Sequence, residues 1–552
     1  MRVISAAAAV LAFFFSPCAW GQAPRHAFAA TVHPLATQAA LEAMRAGGNA
    51  VDGTIAAALT LAVVDGHNSG LGGGCFLLIR RPDGEITAID GREMAPAAAT
   101  RDMFLRDGKA DPELSQFGPL AAGTPGMVKA LEEAARYGAR LPIARAYAQA
   151  AALAEEGFVP DAAFESALRG TRKKAEQFPA FAEAFLAPRV NGRLLQPDLA
   201  ATLRALATYG GDWFYIGPFA QKTGAWMKAH GGILTAADFR AYRVERREPL
   251  RTTYRGHEII GFPPPSSGGV HVAQILNIAE NFDLRVLGRG SASVAHVLAS
   301  AMNLAFADRA FWLGDPDFAR VPRGLLEKDY AASLAQKIDL HKAVEVPGHG
   351  QPPDAEGDIF RKHTTHFSVA NSDGWWVACT ATVNTTFGSK VVIPGTGVVL
   401  NNEMDDFSAQ PGAPNAFGLV GAETNAVAPG KRPLSSMSPT LVLRDGQPVA
   451  SLGAAGGPTI ITQVALALVQ MIDFGQAPRE ALASARFHHQ WKPRVLKIEQ
   501  SAGEEILKEL TQRGHRLDPV SRMGAAQMIA LDPEGRFQGS ADPRGSGLAD
   551  GW

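Results

Sequence analysis

Between residues 35 and 64 the apolar positions fall into two helical runs. Leu35 to Arg45 carries apolar residues at three- and four-residue spacing and stops at Gly47-Gly48, a helix C-cap signal. Asn49 then caps a second, alanine-rich helix to about Val64. Asn68-Ser69-Gly70-Leu71-Gly72-Gly73-Gly74 follows, and Cys75 to Arg80 reads as a strand. That glycine density predicts tight turns and close backbone approach. It is no phosphate loop, having neither Gly-Lys-Ser/Thr nor strand-turn-helix order. From about 125 to 345 the pattern is mainly helical with polar breaks. Within it, Pro263-Pro264-Pro265-Ser266-Ser267-Gly268-Gly269 predicts a rigid turn into a helix starting near Val270, its serines serving as caps rather than nucleophiles. Ala343 to Arg361, rich in proline and glycine, predicts an exposed loop.

After that loop the period changes to two. Thr364 to Ala370, the turn Asn371-Ser372-Asp373-Gly374, and Trp375 to Asn384 predict a β-hairpin. A turn centred on Asp373-Gly374 pairs Thr382 with Thr365 and Val383 with Thr364, and a one-residue slip would change which side chains meet. The same period predicts that one ring of Trp375-Trp376 faces outward. No repeat of 20–50 residues is visible.

The 552 residues are 46% hydrophobic and 19% charged, ordinary for a globular chain with a large core. A formal net charge of -1 and no basic tract argue against nucleic-acid or anionic-lipid partners. Arg2 and the apolar run Ala6 to Phe15 read as an export signal cut after Gly21, giving a periplasmic or secreted protein. No other segment is long and apolar enough to span a membrane. Past that leader only Cys75 and Cys379 remain, so one disulfide is arithmetically open and a disulfide framework is excluded. Without clustered Cys/His, no metal is expected; His488-His489 read as surface or packing residues.

Specific chemistry comes from ordered motifs. Lys362-His363-Thr364-Thr365-His366-Phe367-Ser368-Val369 resembles the processing site of gamma-glutamyltransferases, which are N-terminal-nucleophile hydrolases. Thr382-Val383-Asn384-Thr385-Thr386-Phe387-Gly388, Asn401-Asn402-Glu403-Met404-Asp405-Asp406-Phe407 and Arg432-Pro433-Leu434-Ser435-Ser436-Met437-Ser438-Pro439 resemble further family motifs. So do Gly456-Gly457, Gly91-Arg92-Glu93-Met94-Ala95-Pro96 and Asp308-Arg309, and the likeness runs from about Ala36 to Arg544.

The resemblance implies an αββα sandwich: two stacked sheets between helix layers, one intertwined unit. It implies self-cleavage between His363 and Thr364, leaving a signal 1–21, a large chain 22–363 and a small catalytic chain 364–552. A threonine hydroxyl needs a base, and the freed α-amine, with an ordinary pKa near 8, supplies one. By the same resemblance Thr382 fixes that hydroxyl, and Gly456 and Gly457 offer N–H groups to the oxyanion. Arg92, Ser435 and Ser436 take the γ-glutamyl α-carboxylate, while Asn384, Glu403 and Asp406 take its α-ammonium. No cofactor is implied. The implied partners are glutathione and related γ-glutamyl compounds, with water, amino acids or dipeptides as acceptors. Gln410 to Arg432 resembles a lid loop, with Phe417 where many relatives carry tyrosine. Two alternatives are a β-lactam side-chain (cephalosporin) acylase, which needs no ammonium clamp, and an inactive periplasmic binding homologue.

Overall fold

Most of the strands described in this computed structural model, which covers residues 24–187, 189–353, 355 and 366–552, gather into two large antiparallel sheets. In spatial order the first is Leu548–Gly551, Ala27–Thr31, Phe367–Asn371, Trp376–Thr382, Gly74–Arg80, Ile86–Gly91 and Glu245–Arg247. The second runs Phe537–Ala541, Ala525–Leu531, Gln447–Ala455, Thr440–Arg444, His257–Gly261 and Leu250–Tyr254. Strand alternation sorts the layers. Phe76 and Leu78 join the core shared with Ile259, Leu441 and Leu452, whereas Leu77 and Ile79 join the core under the helices Pro34–Arg45 and Ala50–Val64. Helices Ser267–Ala279, Ala292–Trp312 and Thr459–Ile472 cover the other side. The result is the αββα order that the motifs imply.

Local signals hold where they are strongest. Asn49 Oδ1 accepts from Val51 N at 2.8 Å, and Asp52 Oδ2 accepts from Asn49 N at 2.8 Å, a reciprocal cap for a helix buried along its whole length. Ser266 caps the helix Ser267–Ala279 by accepting from Gly268 N at 2.8 Å, so this serine is structural. A Cβ on Gly73 would sit 1.8 Å from the Thr382 carbonyl oxygen, which is why the glycine-rich turn needs its glycines.

Two expectations are corrected. Asn371 and Trp375 close a three-residue loop, Ser372-Asp373-Gly374, with Gly374 at φ +92°. An odd loop moves the register by one, so Phe367 faces Cys379 and Trp376 faces Ala370 instead of the pairing expected. Neither tryptophan faces outward: Trp376 is buried against Phe537, and Trp375 lies on the opposite face under Arg81, because both faces of this sheet are covered. Of the two readings of His488 and His489, surface or packing, the structure takes packing: both are buried on the strand Phe487–His489, with the Phe306 ring 5.3 Å from that of His488. Cys75 and Cys379 are free and buried.

A buried polar chain ties the helices together. His271 contacts Gln274 Oε1 at 2.7 Å, Gln274 Nε2 donates to Asp308 Oδ2 at 2.6 Å, and Asp308 Oδ1 accepts from Gly350 N at 2.6 Å. Burial lowers the His271 pKa to about 3, against an unfolded value near 6.5. The unfolded chain therefore binds this proton first, and the stability that neutral His271 supports is lost as pH falls from about 6.5 toward 3. His271→Asn should then be less acid-labile than its parent, by up to about 1.4 kcal/mol per pH unit below 6.5. Urea midpoints at pH 7, 6 and 5 check this; parallel curves for parent and variant rule it out.

Candidate active site

The ends of both sheets and the loops after them enclose a cavity of about 320 Å³. That is the size of a small-molecule site. His366, Phe367, Thr382, Asn384, Glu403, Asp406, Phe417, Ser435, Ser436, Gly456 and Gly457 all line it. The sequence motifs thus converge from segments up to about 90 residues apart in the C-terminal third. His363 and Thr364 lie outside the described residues.

At one end sits a charged cluster. Arg92 is fully buried just behind the wall, at the end of the strand Ile86–Gly91. Its Nη1 donates to Glu403 Oε1, its Nη2 donates to Asp406 Oδ2 at 2.6 Å, and its Nε donates to the Pro433 carbonyl at 3.2 Å. Arg92, Glu403 and Asp406, assigned from the sequence to opposite ends of a ligand's zwitterion, are thus paired with one another. Glu403 Oε2 is buried and has no hydrogen-bond partner among the described residues. Burial raises the Glu93, Glu403 and Asp406 carboxyls, Glu93 to about 8. Burial also pulls the Arg92 guanidinium down, but the facing carboxylates outweigh that and leave it raised.

Two loops are stitched together beside this cluster. Asn384, at φ +76°, donates from Nδ2 to the Asn402 carbonyl at 2.9 Å, which turns its amide oxygen away from that bond. Asn402 Oδ1 accepts from Thr385 N at 3.0 Å. Thr382 Oγ1 accepts from Asn384 N at 2.7 Å, leaving its own O–H to donate. Ser435 and Ser436 are fixed by the proline-rich turn: Ser267 Oγ donates to the Ser435 carbonyl at 2.6 Å, and Ser266 Oγ to the Met437 carbonyl at 2.7 Å. A Cβ on Gly268 would lie 2.1 Å from that Met437 oxygen.

At the other end Gly456 (φ +130°) and Gly457 (φ +57°) turn the chain from the strand Gln447–Ala455 into the helix Thr459–Ile472. Backbone N–H groups entering a helix present a positive field to an anion. Phe417 lies over them, its ring 2.6 Å from where a Gly457 Cβ would be. The loop that carries Phe417 is anchored to the acidic turn: Ala416 N donates to Asp405 Oδ2 at 2.8 Å, and Asn415 Nδ2 to Asp406 Oδ1 at 3.2 Å. Among the described residues no cluster of His, Cys, Asp and Glu suits a metal ion, and no helix is long and apolar enough to cross a membrane.

A family model described as Gamma-glutamyltranspeptidase matches residues 36–552. The chain belongs to the gamma-glutamyltranspeptidase family. It is 43% identical over 522 residues to the glutathione hydrolase proenzyme of Escherichia coli, covering 93% of this chain and 90% of that one. It is also 37% identical to the acylase ACY 1 proenzyme of a Pseudomonas species, covering 94% and 92%. In structure it is similar to the cephalosporin acylase of Bacillus halodurans, with a TM-score of 0.85, 28% identity, and coverage of 98% and 99%. The gamma-glutamyltranspeptidase fold is therefore common to both activities, and only the cavity can separate them.

Sequence reading missed parts of this gamma-glutamyltranspeptidase site. Asn402 stood inside a quoted motif without a role, yet it braces Asn384 and Thr385. Arg309 also stood in a motif without a role, and it reaches Ser436. Both act across long chain separations, where spacing carries no signal.

Proposed function

We propose that this protein is a glutathione hydrolase and gamma-glutamyltransferase that becomes active by cleaving itself before Thr364. The observation that carries this is the pairing of Arg92, just behind the cavity wall, with Glu403 and Asp406, which line the cavity together with Gly456 and Gly457. A γ-glutamyl group ends in a zwitterion, and this cluster accepts one without a change in net charge. The ammonium meets Asp406, the partnerless Glu403 Oε2 and the Asn384 amide oxygen. The carboxylate meets Arg92 and the two serine hydroxyls. An acylase substrate without the α-amine would leave a buried carboxylate oxygen unsatisfied, at a cost of about 1–3 kcal/mol or more.

The nucleophile assigned to this cycle is Thr364, on the resemblance of its motif to the family's processing site. Thr364 lies three residues before Phe367, and Thr382 three residues after Cys379, the partner of Phe367 across the hairpin. His366 and Phe367 line the cavity. In the proposed cycle the α-amine of Thr364 takes the hydroxyl proton as the oxygen attacks the γ-carbonyl. The oxyanion lies against the Gly456 and Gly457 amides. The C–N bond breaks, the leaving amine receives the proton, and a γ-glutamyl ester of Thr364 remains. Water or the amine of an amino acid or dipeptide then attacks the ester by the reverse proton path, restoring the threonine. Self-cleavage uses the same hydroxyl against the His363 carbonyl, followed by hydrolysis of the ester. With residues 1–21 as an export leader, the mature protein would work in the periplasm or outside the cell.

Release of nitroaniline from γ-glutamyl-p-nitroanilide, with and without glycylglycine, tests the reading on protein whose cut has been checked. Hydrolysis without the dipeptide and faster release with it are expected. Preference for glutaryl-p-nitroanilide would instead assign the acylase activity, and inertness toward both would leave only a binding protein.

A further inference from the structure

Arg309 lies in the last turn of the helix Ala292–Trp312 and is 4% exposed. Among the described residues its guanidinium makes two side-chain hydrogen bonds, both to serines. Nε donates to Ser267 Oγ at 2.9 Å, and Nη2 donates to Ser436 Oγ at 3.0 Å. Among the described residues no carboxylate stands within ion-pair distance of it; Asp406 acts on it only through its field. A buried cation without a paired anion is costly, so its retention needs a reason.

Ser436 supplies one. Its Oγ accepts from Arg309, so its own hydrogen must point elsewhere, and the residue lines the cavity. A cation about one hydrogen bond behind a hydroxyl polarises that O–H toward an anionic oxygen in front of it. The second serine is tied to the same group, because Ser267 Oγ accepts from Arg309 and donates to the Ser435 carbonyl. Arg92, by contrast, already spends two of its nitrogens on Glu403 and Asp406. Deepening the function proposed above, on which it rests, we infer that Arg309 is a positioning residue for the substrate's α-carboxylate, holding Ser436 as a charge-backed hydroxyl donor and anchoring the Ser435 backbone through Ser267. The carboxylate is then gripped from two sides, by Arg92 and by a relay from Arg309, while the reacting carbonyl lies at the far end of the cavity.

Arg309→Met and Arg309→Lys, assayed as processed enzymes, test this with two anilides. One is γ-glutamyl-p-nitroanilide; the other is 4-aminobutanoyl-p-nitroanilide, which keeps the amine and lacks the α-carboxylate. Arg309→Met should raise KM for the γ-glutamyl anilide by about 30-fold with kcat within about threefold, the mark of lost uniform binding. Its kcat/KM for the 4-aminobutanoyl anilide should stay within about twofold of the parent. Arg309→Lys, which retains the charge, should recover KM to within about fivefold of the parent. Equal losses on both anilides, or a lysine variant no better than methionine, would overturn the assignment. If Arg309→Met does not fold, Arg309→Lys is read alone. A KM rise of a few-fold confined to the γ-glutamyl anilide supports the relay, and no such selectivity refutes it. Failure of the parent enzyme to cleave the γ-glutamyl anilide is a separate result, and counts against the proposed function itself.

Discussion

Thr364→Ala should accumulate as one uncut chain and lose γ-glutamyl transfer by about 10⁴-fold or more, the scale seen when a covalent nucleophile is removed. Alanine has no oxygen to attack the His363 carbonyl, so the α-amine that would serve as base is never freed. The two losses share one cause but read out separately. Denaturing electrophoresis reports the cut, and anilide release reports turnover. Thr364→Ser, which keeps a hydroxyl, should still be cut. Two fragments from the alanine variant, the smaller beginning Ala-Thr-His-Phe, would falsify the assignment of Thr364 as the processing nucleophile.

Asp406→Asn should lower kcat/KM for γ-glutamyl-p-nitroanilide by about 10²–10³-fold, the equivalent of about 3–4 kcal/mol. Two side-chain contacts make Asp406 sensitive: Arg92 at 2.6 Å and Asn415 at 3.2 Å. Asparagine preserves the shape and removes the charge that an ammonium needs, leaving the guanidinium short of one counter-charge. A glutaryl anilide, with no α-amine, should lose no more than a few-fold. Parallel losses on the two substrates would mean that Asp406 supports the loop at Asn415 and not the ligand's amine.

Much of the architecture is legible in short-range signals. Asn49 with Asp52, Ser266 before Gly268, and the alternation from Cys75 to Arg80 each settle an element from a few neighbouring residues. What escapes is decided at longer range. The hairpin is visible, but its register turns on whether Ser372 belongs to the loop or the strand, and the bond from Asn371 N to the Trp375 carbonyl decides that. The outward tryptophan assumed a sheet with one wet face, whereas helices cover one face and a second sheet the other. The family motifs brought nine site residues to one cluster and cavity, yet they carried no hint that Arg92 closes on the two carboxylates. Nor did they reveal Arg309, 127 residues away from the serine it holds.

The strands on either side of residue 364 are interleaved. Phe367–Asn371 and Trp376–Thr382 lie between Ala27–Thr31 and Gly74–Arg80, and Thr440–Arg444 is bonded to His257–Gly261 in the other sheet. Severing the backbone at that point would release no piece, because departure of either half must unzip ladders in both layers at once. Dilution alone should never part the halves. Once chaotropes have parted them, reassembly becomes a second-order search between two incomplete sheets, so the continuous precursor is the practical route to the nicked enzyme.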